Sequence, residues 1–251
     1  MEPGFVQQKL AQLKRELQLE FRPKRPARSR TRPARRKPRA AASNGWVALA
    51  LGLAKTLLVL VLPFYVYVRS SVYFYAQGAA PWLSVLAGAL ITMAIVALYA
   101  TWISRRFSGR LRAANMARWI ALPIAAGWCG YAVLYLAKVN AKSPEVRSYY
   151  SSVHPVLRAA LGTAILVDPS IVMTDGFRVP EDYSRMGLPI NDRTLHYKQK
   201  TGWVHAVDLR TNGRGAVKNF AMQMYFSSMG FYTLRHVGNA DHLHVHLRIR
   251  E

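Results

Sequence analysis

Three apolar runs, Trp46–Val68, Trp82–Ser104 and Trp119–Ala137, constrain this chain more than any other feature. Each is about 20 residues long, which as a helix approximates the hydrocarbon layer of a bilayer, about 30 Å thick. A membrane interior cannot hydrogen-bond exposed backbone, so such runs are expected to cross as helices. The first run is too long and starts too far into the chain for a cleavable signal peptide. Lys55 lies inside it and reads as a lysine whose stem snorkels along the helix.

Charge is distributed in blocks around these runs. The chain carries 35 Lys and Arg against 12 Asp and Glu, a formal charge of +23, yet 51% of its residues are hydrophobic. That apolar content excludes a disordered chain, and a single cysteine, Cys129, excludes an internal disulfide framework or a cysteine-built zinc cage. Residues 1–44 hold 13 basic and 3 acidic residues. Within them Val6, Leu10, Leu13, Leu17 and Phe21 recur at spacings of four and three, the pattern of a short amphipathic helix. Arg22–Arg39 has ten Arg or Lys, four prolines and no acid, and reads as a disordered basic linker. Such a stretch suits anionic lipid headgroups beside the first helix. Nucleic acid is the disfavoured partner, because neither a nucleic-acid-reading fold nor interleaved aromatics accompany the charge.

Loop charges set the expected orientation. The segment before the first run is heavily basic, and the first loop carries only Arg69. The second loop carries Arg105, Arg106, Arg110, Arg112 and Arg118. Three crossings then put the N-terminus in the cytoplasm and everything beyond Lys138 outside the cytoplasmic membrane. The organisation expected is a basic tail over 1–44, a three-helix membrane region over 45–138 and an extracytoplasmic domain over 139–251. This last block has 14 basic and 9 acidic residues and is long enough for a small domain. Helical patterns at Val153–Leu166 and Ala216–Met229 alternate with strand patterns at Ile171–Thr174, Trp203–Leu209 and Leu243–Ile249. They predict an α+β domain on an antiparallel sheet.

All seven histidines fall in that block. In Asp241-His242-Leu243-His244-Val245-His246 they alternate with apolar residues, so on a strand three imidazoles share one face. Neutral imidazole is a common metal ligand, and a solvated strand face is the competing reading. A second cluster runs from Leu195-His196-Tyr197 through Gly202, a turn signal, to Trp203-Val204-His205-Ala206-Val207-Asp208. Asp208 lies in strand-like sequence and needs a partner: a metal cation, or an ion pair to Arg210 or Arg193. One hairpin register sets His196 opposite Ala206 and on the face of Asp208. The register one residue away sets His205 opposite His196 and turns Asp208 from it.

Thr174-Asp175-Gly176-Phe177-Arg178, Leu195-His196-Tyr197, Ala206-Val207-Asp208 and His242-Leu243-His244 follow one another in the order found in zinc D-Ala-D-Ala carboxypeptidases, dipeptidases and murein endopeptidases. The C-terminal block resembles this group, which shares its fold with hedgehog signalling domains, over roughly Val153 to Ile249. The resemblance implies one zinc ion held by His196, Asp208 and His244, with a fourth position open for water. It implies that Arg178 steadies an oxyanion or substrate carboxylate. It also implies a general base at Asp241 or His242.

The group places its histidine seven residues before the aspartate. Here that position is Thr201 and His196 stands twelve before, so Lys198–Gly202 reads as a five-residue insertion lengthening the hairpin. Otherwise His205 would serve as a ligand, or the domain would be a non-catalytic relative. His246 is expected near the site or at the surface, His154 and His236 in structural roles, and Trp203, Phe226 and Phe231 in the core. The implied function is a membrane-anchored zinc peptidase acting on peptidoglycan peptides; the alternative is a membrane-anchored peptidoglycan-binding or scaffold protein.

Overall fold

The computed structural model describes residues 3–20, 45–108, 113–187, 189–238 and 241–248. The basic linker Arg22–Arg39, the loop arginines Arg110 and Arg112, and Ile249 lie outside them. Helix α1, Pro3–Glu20, belongs to a separate compact unit, Met1–Ala50, and bears out the helical periodicity at the start of the chain. The rest concerns the second unit, Leu51–Glu251.

Among the described residues, three helices are long and apolar enough to cross a membrane: Gly45–Ala76, Pro81–Phe107 and Ala114–Leu134. The first is α2 (Gly45–Ala76) and the second α3 (Pro81–Ser108). The third is composite: α4 (Ala113–Met116), a π-helical turn at Ala117–Ala121 and α5 (Leu122–Leu134). Pro123 has no N–H for the carbonyl one turn earlier, and the wider π turn lies just before it.

After two short helices, α6 (Pro144–Ser148) and a 3-10 turn at Tyr149–Ser152, comes α7 (Pro155–Val167). His154 caps α7, its Nδ1 accepting from the Val156 N–H at 3.3 Å, and Pro155 occupies the first helical position. Strand β1 (Met173–Asp175), helix α8 (Pro180–Arg185), β2 (Ala206–Arg210), α9 (Ala216–Met229), β3 (Tyr232–His236) and β4 (His242–His246) complete the fold. The strands form one antiparallel sheet in the order β1-β2-β4-β3, so the expected helical region plus α+β domain is present.

Alternation along β2 and β4 sorts the sheet into two faces. Val207, Leu209, Leu243 and Val245 are buried in one core with Leu157 and Leu161 of α7 and Met222 and Phe226 of α9. That core continues without a break into Tyr67, Val68 and Val72 of α2 and Cys129, Ala132 and Val133 of α5. Helix α7 is buried along almost its whole length because α3 and α5 pack on it as well. The α5–α7 contact is close enough that a Cβ at Gly162 would overlap the Ala132 carbonyl, so only glycine fits there.

Candidate metal centre

The polar face of the sheet carries Asp208 and His244. Their strands pair antiparallel with these two residues directly opposite one another. His196 arrives from the hairpin beside β2. Lys198 bridges Val204 in antiparallel fashion, and the His205 N–H donates to the Leu195 carbonyl at 3.0 Å. Even-numbered residues therefore share a side, and His196 joins Asp208. The turn between Lys198 and Val204 contains Gly202 at φ +80°, a left-handed conformation that favours glycine. Residues 198–202 thus close the hairpin beyond the site and leave His196 facing it.

The three side chains converge. His196 Nε2, Asp208 Oδ1 and His244 Nδ1 lie within 4.8 Å of one another. The separations are 3.3 Å from His196 to His244, 3.4 Å from His196 to Asp208 and 2.8 Å from His244 to Asp208. Donors about 2.0–2.1 Å from a common tetrahedral centre lie about 3.3–3.4 Å apart. Two of the three separations already have that value, and the third is the hydrogen bond from His244 Nδ1 to Asp208, whose proton a bound ion would displace. His196 Nδ1 lies 2.7 Å from the Gly176 carbonyl, which can only accept, so the proton sits on Nδ1 and Nε2 is left with a lone pair aimed at the site. Two imidazoles and one carboxylate thus fit a divalent ion of the zinc type.

Electrostatics keep the carboxylate charged. Burial alone would raise the Asp208 carboxyl, but the hydrogen bond it accepts from His244 Nδ1 and the adjacent His196 and His242 rings outweigh it and hold it well below the usual carboxylate range. Its second oxygen accepts from Arg178 Nη2 at 3.1 Å, and Arg178 Nε donates to Asp175 Oδ2 at 2.6 Å. Asp175 and Asp208 face each other across β1 and β2, so Arg178 holds two carboxylates that would otherwise repel. Burial opposes the Arg178 charge, but Asp175, Tyr183 and Asp208 more than compensate and raise its pKa further. The buried aspartate therefore pairs with Arg178, not with Arg210 or Arg193. A cleft of about 310 Å³ opens beside Arg178, lined also by Lys142, Glu145, Tyr149, Asp182 and Arg185.

The remaining candidates fall in distinct places. His242 Nε2 is 3.7 Å from Asp208 Oδ2, and its ring stacks on His236 at 4.6 Å. Asp241 is engaged elsewhere, accepting from Thr211 Oγ1 at 2.7 Å and paired with Arg235 at 2.6 Å. His205 is turned to the other side, against His154 at 4.8 Å between ring centroids, with Thr201 Oγ1 2.8 Å from its Nε2. His246 stacks on Tyr232. Sequence reasoning assigned no role to Asp175 or Tyr183, and gave His236 a structural role without its stack on His242. The three-residue spacing of Asp175 and Arg178 was a signal for the first, whereas the others depend on long-range packing. Comparisons with protein-family models, with curated proteins and with solved structures returned no match to this chain.

Proposed function

We propose that this protein is a membrane-anchored metallopeptidase of the zinc type that acts on peptidoglycan peptides, as a D-Ala-D-Ala carboxypeptidase or endopeptidase. The observation that carries the reading is the convergence of His196, Asp208 and His244 at near-tetrahedral ligand separations. The ordered motifs of that peptidase group supply the same three residues, which supports a fold of that kind for the α+β part. A bound divalent ion would supply Lewis acidity and a water of lowered pKa. Among the chain's own groups, His196 is fixed in the ligand tautomer and Arg178 offers a permanent cation at the cleft beside the site. His242 faces the same side as the ligands and is placed to take a proton. Asp241, held by Arg235 and Thr211, is the weaker candidate for the base. The loop charges support a cytoplasmic N-terminus and an α+β domain outside the cytoplasmic membrane, where its substrate lies.

The test is hydrolysis of purified muropeptides by the full-length protein in detergent with zinc supplied. Wild type should release product, and His242→Ala should lower kcat by about 10²–10⁴-fold while metal stays bound. Absence of hydrolysis by metal-loaded wild type would overturn the reading. Specific muropeptide binding in that event would favour the non-catalytic alternative, which the lengthened hairpin and the Arg178–Asp208 pair also suit.

A further inference from the structure

A crevice lies on the opposite side of the sheet from the metal centre, between the first membrane helix and the helices of the α+β part. Its volume is about 360 Å³. Leu60 and Phe64 of α2 form one wall, Val167 of α7 another, and Ala221, Met222 and Tyr225 of α9 the third. Almost every wall is apolar, although two of the three belong to elements that the sequence places in the extracytoplasmic domain. The exposed side of α9 continues this surface. Val217, Phe220 and Met224, at spacings of three and four, stand 81%, 66% and 49% exposed, and Val167 is 72% exposed. Soluble surfaces seldom leave so contiguous an apolar patch uncovered.

The α2 wall of this crevice shows what covers it. Leu57, Leu58 and Leu60 are each more than 60% exposed on a helix long and apolar enough to cross a membrane. In a bilayer those side chains meet hydrocarbon, and Leu60 among them also lines the crevice. Lys218 lines the same crevice and is exposed, so its stem can follow the apolar wall while its ammonium reaches the phosphate level.

We infer that the crevice between α2, α7 and α9 holds one acyl chain of a bilayer phospholipid, with the lipid phosphate at Lys218, and that the Val217–Phe220–Met224 face of α9 rests in the membrane. The α+β domain is then seated in the lipid surface rather than held above it on a stalk. This inference rests on the membrane helices and not on the metal chemistry, so either can fail alone.

The experiment uses full-length protein in nanodiscs of phosphatidylethanolamine and phosphatidylglycerol containing a trace of phospholipid with a diazirine on its acyl chain. After irradiation, adducts are mapped by mass spectrometry. Wild type is expected to carry adducts on the Ala221–Tyr225 segment of α9 and at Val167 as well as on Leu57 and Leu58. Ala221→Trp, which fills the crevice from an exposed helical position, should lose the α9 adducts and keep those on Leu57 and Leu58. Lys218→Glu should lower the yield at α9 with phosphatidylglycerol probes. Adducts confined to the membrane helices in wild type would overturn the inference, as would an α9 yield unchanged by Ala221→Trp. Cross-links from an Ala221→Cys variant to a second chain, with no lipid adduct in wild type, would assign the surface to self-association instead. The wild-type map decides even if a variant fails to fold.

Discussion

Replacing His154 with asparagine should flatten the dependence of stability on pH. His154 is 0% exposed, its ring lies 4.8 Å from that of the equally buried His205, and it caps α7 through Nδ1. Burial, then the neighbouring His205 and Arg158, push its pKa down to about 2 from an ordinary 6.5. The unfolded chain therefore binds a proton that the folded chain refuses. The folded state is unaffected above about pH 6.5 and loses stability as the pH falls below it. At about pH 5 the gap is about 1.5 pH units, and at about 1.4 kcal/mol per unit His154 alone costs about 2 kcal/mol. His205, whose pKa burial also lowers, acts in the same direction. Asparagine keeps an acceptor for the Val156 N–H and removes the titration. The assay is reversible unfolding of the full chain in mixed detergent micelles, followed by far-ultraviolet circular dichroism at about pH 7 and about pH 5. His154→Asn should lose about 2 kcal/mol less than wild type over that interval. Identical losses would mean that the folded protein accommodates the imidazolium, and the reasoning from burial would be refuted.

Two further substitutions test the packing and the support of the site. Gly162→Ala should destabilise the protein by about 1–3 kcal/mol, because the new methyl group meets the Ala132 backbone between α5 and α7. Gly127→Ala, with nothing within 4 Å of its added carbon, should not lower the thermal midpoint in the same scan. Arg178→Gln should weaken metal binding by about 10–100-fold in competition with a chromogenic chelator, since Arg178 fixes the second oxygen of Asp208. Unchanged affinity would show that the arginine does not orient the ligand.

Much of the architecture was written in local pattern. Ala216–Met229 reads as a helix of period 3.6 and is one over that same range. The alternation of His242, His244 and His246 with Leu243 and Val245 marks β4 because one face is core and the other is not. Strand β3 escaped notice for the converse reason: it is an edge strand exposed on one face and only half-buried on the other, so no buried face impresses an apolar alternation on Tyr232–His236. Composition divides the chain near residue 138, yet Tyr67, Val68 and Val72 share a core with Val207 and Leu243. A valine or tyrosine on a membrane helix looks the same in sequence whether lipid or protein covers it. At the site, spacing alone left two hairpin registers open. The tertiary contacts that carry His205 against His154 and His196 against the Gly176 carbonyl distinguish them.

The most direct test of the central claim is the metal content of full-length protein purified in mild detergent, wild type beside His196→Ala. The account predicts about one tightly held divalent ion per chain in wild type and its loss in the variant, with the fold retained. A folded wild-type protein with no stoichiometric metal, or an ion held equally well without His196, would contradict it.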